Sequence, residues 1–515
     1  MIATGERNYN GDTRGKVRRR QSASGEAHQA EVGKRMSRKP QHGGKAITRR
    51  RFLGAVGATG LGATGLLAAA PPVRAASCKN ADRVRVPGAE FQERACLDDL
   101  TTAGTQRTGH TNRSDWEGLH AAGTRNPSGV PGLQVDGYFP DDSQTNTNNG
   151  YVHDSQFVLR LPDDWNGGLV ITGAPGTRRQ YANDFIIGDF VLAKGYAFAA
   201  TDKGNTGANF YRDGEEPGDA VAEWHRRVEE LTRAAKVAAE QRYGRAPERT
   251  YITGISNGGY LTRYALENTP ELYDGGVDWE GTLFLAEGPN LLTYLPAALA
   301  NYPEYAATGS REAFENIAAA GFEADSEFLW RDHYTIYWDL TQRIYREEFD
   351  PSYDDPLPDD QAGIPFCQPG TPNCDADYEY EERPREVKEA IERVSLTGEI
   401  GKPMITLHGD LDALLPVRTD SDVYARMVRR AGRSRLHSYF MVEDGNHVDS
   451  FYDRYPERLR PILPCYRAAF EALEDSVERG RPLPPGGFVP RPESGDLVNE
   501  CSLERGRGKE RRRGG

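Results

Sequence analysis

From about residue 156 onward, short apolar runs alternate with stretches whose apolar positions recur at helical spacing. The runs at 156–161, 168–173, 196–201, 250–254, 282–286, 403–408 and 436–442 each predict a strand. Between the third and fourth runs, Val221, Trp224, Val228, Leu231, Ala235 and Ala238 recur at steps of three and four, and Gly244 follows as a stop. This predicts a long helix lying with one face on a sheet. Regular alternation of this kind is the pattern of an α/β fold, a doubly wound and mostly parallel sheet covered on both faces. After residue 286 the alternation breaks, and it resumes at the run beginning with Pro403. Residues 290–395 therefore read as a helical insertion, with nine Tyr together with Trp330 and Trp338. Most of these rings are expected to form the insertion's own core, and a few to line a pocket beneath it as a lid.

The expected division is an arm and leader at 1–75, a first core part at 76–289, the insertion at 290–395, a second core part at 396–490 and a tail at 491–515. Residues 76–150, rich in Thr, Asn, Gly and Asp, are expected to wrap the core rather than form a domain.

Composition sharpens this picture at the two ends. The chain has 515 residues, enough for one large domain or two ordinary ones, with 64 Lys+Arg against 77 Asp+Glu. Residues 1–75 hold 15 Lys+Arg and 4 Asp+Glu, so the body is strongly acidic. An acidic body repels phosphate backbones, which argues against nucleic-acid binding despite the basic tail Arg511–Arg513. Thr48, Arg49, Arg50, Arg51, Phe52 and Leu53 precede a stretch rich in Gly and Ala that ends at Val73, Arg74 and Ala75. This is similar to a twin-arginine export signal with cleavage after Ala75, which implies the export machinery as a partner and a secreted protein. The stretch is too poor in Leu, Ile and Val for a stable membrane anchor. A more ordinary start would be Met36. All six cysteines lie beyond the cleavage site, which suits an oxidising compartment, and proximity suggests Cys78 with Cys96, Cys367 with Cys374 and Cys465 with Cys501. None has the spacing of a zinc site, and neither metal nor cofactor is expected. The acidic run through Asp350, Asp354, Asp355, Asp359 and Asp360 lacks the spacing of an EF-hand loop.

The chemistry concentrates at Gly254-Ile255-Ser256-Asn257-Gly258, between a predicted strand and a predicted helix at 257–268. A serine at such a turn presents its hydroxyl at the sheet edge, with a helix N-terminus and the Asn257 amide facing a developing oxyanion. A serine hydroxyl needs a base oriented by a carboxylate, in the chain order Ser, Asp, His for a doubly wound hydrolase. Asp412 follows the strand at 403–408 and His447 follows the strand ending near Val442. Asp410 is the alternative acid, and His408 and His225 read as structural. The second oxyanion donor should come from the loop Gly173-Ala174-Pro175-Gly176-Thr177. Because Pro175 has no N–H, Ala174 is the candidate. Arg178 and Arg179 follow, within reach of an anionic group on a substrate.

This constellation resembles the α/β-hydrolase superfamily, and within it the secreted tannase and feruloyl esterase group. The stretch Gly195-Tyr196 followed by Thr201-Asp202-Lys203-Gly204-Asn205-Thr206-Gly207 is similar to that group's Gly-Tyr and Thr-Asp-x-Gly-His-x-Gly. The group commonly places a cysteine before the serine and another after the histidine, where this chain has Ile255 and Val448. The run Ser256-Asn257-Gly258-Gly259 is also similar to secreted 3-hydroxybutyrate oligomer hydrolases. The resemblance implies hydrolysis of a small or oligomeric carboxylic ester through an acyl-enzyme. A serine peptidase of the same fold and a non-catalytic binder of aromatics or carbohydrate are the alternatives.

Overall fold

A computed structural model describes residues 78–353 and 375–503, all within one compact unit. The twin-arginine segment, its cleavage site, Met36, Cys367, Cys374, most of the acidic run and the basic tail lie outside the described residues.

Ten strands build one sheet: β1 (Phe91–Leu97), β2 (Gly132–Tyr138), β3 (Gln156–Pro162), β4 (Gly168–Gly173), β5 (Ala197–Thr201), β6 (Arg249–Ile255), β7 (Gly275–Trp279), β8 (Met404–Gly409), β9 (His437–Val442) and β10 (Gly487–Val489). Their order is β1-β2-β3-β5-β4-β6-β7-β8-β9-β10. The first three strands and the β3–β5 pair are antiparallel; every pair from β5 to β10 is parallel. The central strands are covered on both faces, so successive residues go to opposite cores. Leu169, Ile171, Ala197 and Ala199 join one apolar cluster, and Val170, Phe198, Ala200 and Tyr251 the other. The long helix Asp219–Tyr243 lays Val221, Trp224, Val228 and Leu231 on the first, and Gly244 ends it with φ 77°. The helix Leu463–Arg479 lays Tyr466, Phe470 and Leu473 on the second.

One predicted strand is corrected. Residues 282–286 leave the sheet, and the strand is Gly275–Trp279 instead. Its Gly-Gly start reads as a turn but answers a close approach, since a Cβ on Gly276 would lie 2.6 Å from the Ile252 carbonyl oxygen of β6. After β7 the chain turns at Glu280, with φ 51°, and the apolar run packs into the core: Phe284 meets the rings of Tyr260 and Phe349 at 4.9 and 5.6 Å. Residues 76–150 also contribute more than a wrapping, because β1 and β2 extend the sheet. Their period is masked by buried polar side chains that satisfy one another. Tyr181 donates to Asp136 at 2.6 Å, and Gln134 joins Asp136 to Arg160.

Between β7 and β8 the helices Leu291–Thr308, Arg311–Ala319, Glu327–His333 and Asp339–Phe349 pack their aromatic rings together, in one apolar cluster with the first face of the sheet rather than in a core of their own. Trp330 packs on Tyr305 and Phe314, and Trp338 on Tyr302 and Phe322. Two disulfides tie down the ends of the described body: Cys78–Cys96 joins its start to β1, and Cys465–Cys501 joins its end to the helix Leu463–Arg479. The second closes a span of 36 residues. Replacing Cys465 and Cys501 together by Ser is expected to lower stability by about 3–4 kcal/mol, read from denaturant unfolding, because the unfolded chain regains that loop's freedom.

Candidate active site

β6 runs straight into the helix Asn257–Asn268, and the turn between them is a single residue, Ser256, at φ 58° and ψ −123°. A non-glycine residue there is strained, and the neighbours make room for it. A Cβ on Gly254 would lie 2.6 Å from the Gly258 backbone, and a Cβ on Gly258 would lie 2.6 Å from the Gly173 carbonyl. The glycines of the motif thus let strand, helix and the β4 loop touch. Ser256 is pinned by its N–H to the Trp279 carbonyl at 3.0 Å.

The loops after β8 and β9 are interlocked by backbone. Leu411 N–H donates to the Gly445 carbonyl at 2.9 Å, and a side chain on Gly409 would strike Gly445. This contact carries Asp412 and His447 toward the serine. His447 Nδ1 lies 2.8 Å from Asp412 Oδ2, and His447 Nε2 lies 3.1 Å from Ser256 Oγ. Asp412 Oδ1 accepts from the N–H groups of Leu414 and Leu415 at 2.8 and 2.9 Å. Burial by itself would raise the Asp412 carboxyl, but the His447 charge and hydrogen bonds from His408 and His447 outweigh it and hold it well below the usual carboxylate range. The alternative acid, Asp410, instead accepts the Asp444 N–H at 2.7 Å and braces the histidine loop. His408 braces the acid, with Nε2 3.3 Å from Asp412 Oδ2 and 2.8 Å from the Leu415 carbonyl. His225, on the long helix, meets the Tyr260 hydroxyl at 2.6 Å, and burial lowers its imidazole to about 3.

Ser256 and His447 border a cavity of about 250 Å³. Leu119, Leu291, Ile336, Leu340 and Leu414 give it an apolar wall, and Pro175, Gly176, Thr177 and Arg178 form one rim. Tyr337 and Tyr345 are the insertion rings that reach it. Ile255 and Val448 belong to one apolar cluster and both line the cavity.

The sequence assignment of Ala174 is overturned. Its N–H donates to the Thr201 carbonyl at 3.0 Å, continuing the β4–β5 ladder, so it is consumed by the sheet. The N–H groups of Gly176 and Thr177, one turn further, donate to no carbonyl among the described residues and border the cavity. Asn257, the first residue of its helix, has an N–H that no turn of that helix satisfies. Its side-chain Oδ1 accepts from Tyr345 OH at 2.9 Å and Thr282 Oγ1 at 3.1 Å, which fixes the start of the helix. Tyr345 and Thr282 carry no local sequence signal for this. Nor did sequence reasoning find Glu280, which lies fully buried beside Asp412 and His447 at the end of the displaced strand.

Comparison with known proteins gives two partial family matches. Residues 143–279, which include Ser256, match the model "Tannase and feruloyl esterase", and residues 374–499, which include Asp412 and His447, match "3HB-oligomer hydrolase (3HBOH)". A mono(2-hydroxyethyl) terephthalate hydrolase from Piscinibacter sakaiensis is 31% identical over 140 residues, covering 25% of this chain and 23% of that protein. A D-(-)-3-hydroxybutyrate oligomer hydrolase from Azoarcus sp. is 34% identical over 113 residues, covering 20% of this chain and 16% of that one. The chain thus spans less than a quarter of the length of these relatives. Among solved structures, feruloyl esterase B from Aspergillus oryzae matches with TM-score 0.45 and 14% identity over 78% of this chain and 89% of that one. Tannin acyl hydrolase from Aspergillus niger matches with TM-score 0.46 and 14% identity over 78% and 87%. The mostly parallel sheet and the strand–serine–helix turn give the chain an α/β-hydrolase-type fold, and each half of the site falls in a stretch similar to a family of ester hydrolases.

Proposed function

We propose that this protein is a secreted serine hydrolase of carboxylic esters that works through an acyl-enzyme. The supporting observation is the hydrogen-bonded chain from Ser256 Oγ through His447 to Asp412, opening on a cavity. In this reading Ser256 attacks the ester carbonyl and His447 Nε2 accepts its proton, then returns it to the departing alcohol. Asp412 holds the imidazole with Nδ1 protonated and stabilises the imidazolium. The Asn257 N–H at the helix N-terminus, with an N–H of Gly176 or Thr177, meets the oxyanion. Water activated by His447 then releases the acid. The helices from Leu291 to Phe349 act as the lid. The two disulfides fit an oxidising compartment, and among the described residues no helix is long and apolar enough to cross a membrane.

The cavity suggests the substrate class. Arg178, on its rim, donates to the carbonyls of Asp115 at 3.2 Å and Glu117 at 2.8 Å and pairs with no carboxylate among the described residues. An ester with an apolar body and a free carboxylate would satisfy both wall and rim. Both relatives' names specify such esters, a terephthalate monoester and hydroxybutyrate oligomers. The test is turnover of terephthalate monoester, hydroxybutyrate oligomer, feruloyl, galloyl and neutral short-chain esters, beside peptide anilides. Preferential cleavage of anilides would replace the esterase reading by a peptidase one, and failure of a fluorophosphonate to label Ser256 would leave a binding protein. Arg178→Ala is expected to raise KM about tenfold for carboxylate-bearing esters while leaving neutral esters of similar size unaffected.

A further inference from the structure

Glu280 follows β7 directly and is fully buried, with its backbone held at φ 51°. Its Oε1 accepts the Gly409 N–H at 2.8 Å, and its own N–H donates to the Leu407 carbonyl at 2.8 Å, so β8 grips it from two sides. Its Oε2 makes no hydrogen bond of ordinary geometry, although it lies 3.9 Å from His447 Nδ1 and has a looser contact with the Trp279 indole, whose N–H is likewise unmatched. The carboxyls of Glu280 and Asp412 and the His447 imidazole lie within 4.8 Å of one another. An orphaned oxygen aimed at an imidazole that already has a carboxylate is costly to bury. Helping to brace the β7–β8 corner would require Oε1 alone.

Resting on the reading of Ser256, His447 and Asp412 as a catalytic relay, we infer that Glu280 is a reserve partner of His447, a positioning residue able to orient Nδ1–H when Asp412 is lost. The gap of 3.9 Å is about an ångström longer than a hydrogen bond, and Asp412 occupies the intervening position. The titratable groups facing Glu280 are Asp412, His447 and Asp449, from the loops after β8 and β9. Burial first, and then the Asp412 charge, push its carboxyl well above the usual range. Ionising both carboxyls of one dry site together is disfavoured. Replacing Asp412 by the isosteric Asn removes the competing charge. Glu280 then becomes the carboxyl in reach of Nδ1, and its ionised form stabilises the imidazolium.

A double-mutant cycle tests this with Asp412→Asn, Glu280→Gln and the pair, on the best ester substrate. Glu280→Gln is expected to cost at least about tenfold more in kcat in the Asp412→Asn background than in the wild-type background, with KM little changed. The kcat of Asp412→Asn should show a rise with pH from ionisation of Glu280 in addition to the one any imidazole base gives, and this additional rise should be missing from the double variant. Glu280→Asp, a methylene shorter, should behave like Glu280→Gln when combined with Asp412→Asn. Equal costs in both backgrounds, or the same pH profile for the single and double variants, would overturn the inference. Thermal unfolding separates loss of fold from loss of orientation, and if the double variant does not fold, the pH profiles of Asp412→Asn and Asp412→Asn/Glu280→Asp decide alone. A wild-type protein that hydrolyses no ester would sink the relay reading itself, which is a different outcome.

Discussion

Ser256→Ala is expected to lower kcat by about five to six orders of magnitude while leaving the thermal midpoint nearly unchanged. The Ser256 hydroxyl meets His447 Nε2 at 3.1 Å, and that contact belongs to the reaction rather than to packing. The backbone at φ 58° is as strained for Ala as for Ser, so removing the oxygen does not relieve it. Ser256→Gly gives the complementary result. It should be equally inactive, yet more stable than wild type by about 1 kcal/mol, because glycine adopts that conformation without a Cβ penalty. Turnover by a purified alanine variant at the wild-type rate would remove the serine from the mechanism.

Arg263→Leu should have the opposite profile, a large loss of stability with no specific catalytic signature. The guanidinium is fully buried in the helix that follows the serine. It bridges Asp278 of β7 at 2.7 Å, Asp420 at 2.8 Å and the Ser421 hydroxyl at 2.7 Å. These carboxylates are themselves structural. Asp278 accepts the Gly281 N–H at 2.9 Å, and Asp420 accepts the Leu283 N–H at 2.8 Å, which steers the chain out of the sheet after β7. Removing the cation leaves buried carboxylates unpaired, which costs about 3–5 kcal/mol. A carboxyl orphaned in this way binds its proton more tightly folded than unfolded. The deficit should therefore shrink as pH falls and grow as pH rises. Denaturant unfolding at two pH values checks both the size and the sign.

The extent to which the site was legible follows from how local each signal is. The long helix was readable because Val221, Trp224, Val228 and Leu231 face one core and repeat every turn. The serine turn was readable because its glycines and the helix start lie within five residues of sequence. β7 was not, because its two glycines answer a neighbouring strand and look like a turn when read alone. The Ala174 assignment failed for a related reason. Proline chemistry excluded Pro175, but whether the preceding N–H was free depended on Thr201 in the adjacent strand.

The sequence by itself determined the periodic elements and the nucleophile's turn, since each is written in a few adjacent residues with their own steric rules. Only the tertiary structure decided that Asp412 rather than Asp410 meets His447, that Ala174 spends its N–H on the sheet while those of Gly176 and Thr177 meet no carbonyl among the described residues, and that Glu280 stands beside the pair. Ser256 and His447 are 191 residues apart in sequence. What brings their side chains within hydrogen-bond range is the register of parallel strands and the backbone contact between two loops, and neither is encoded at the residues that make use of it.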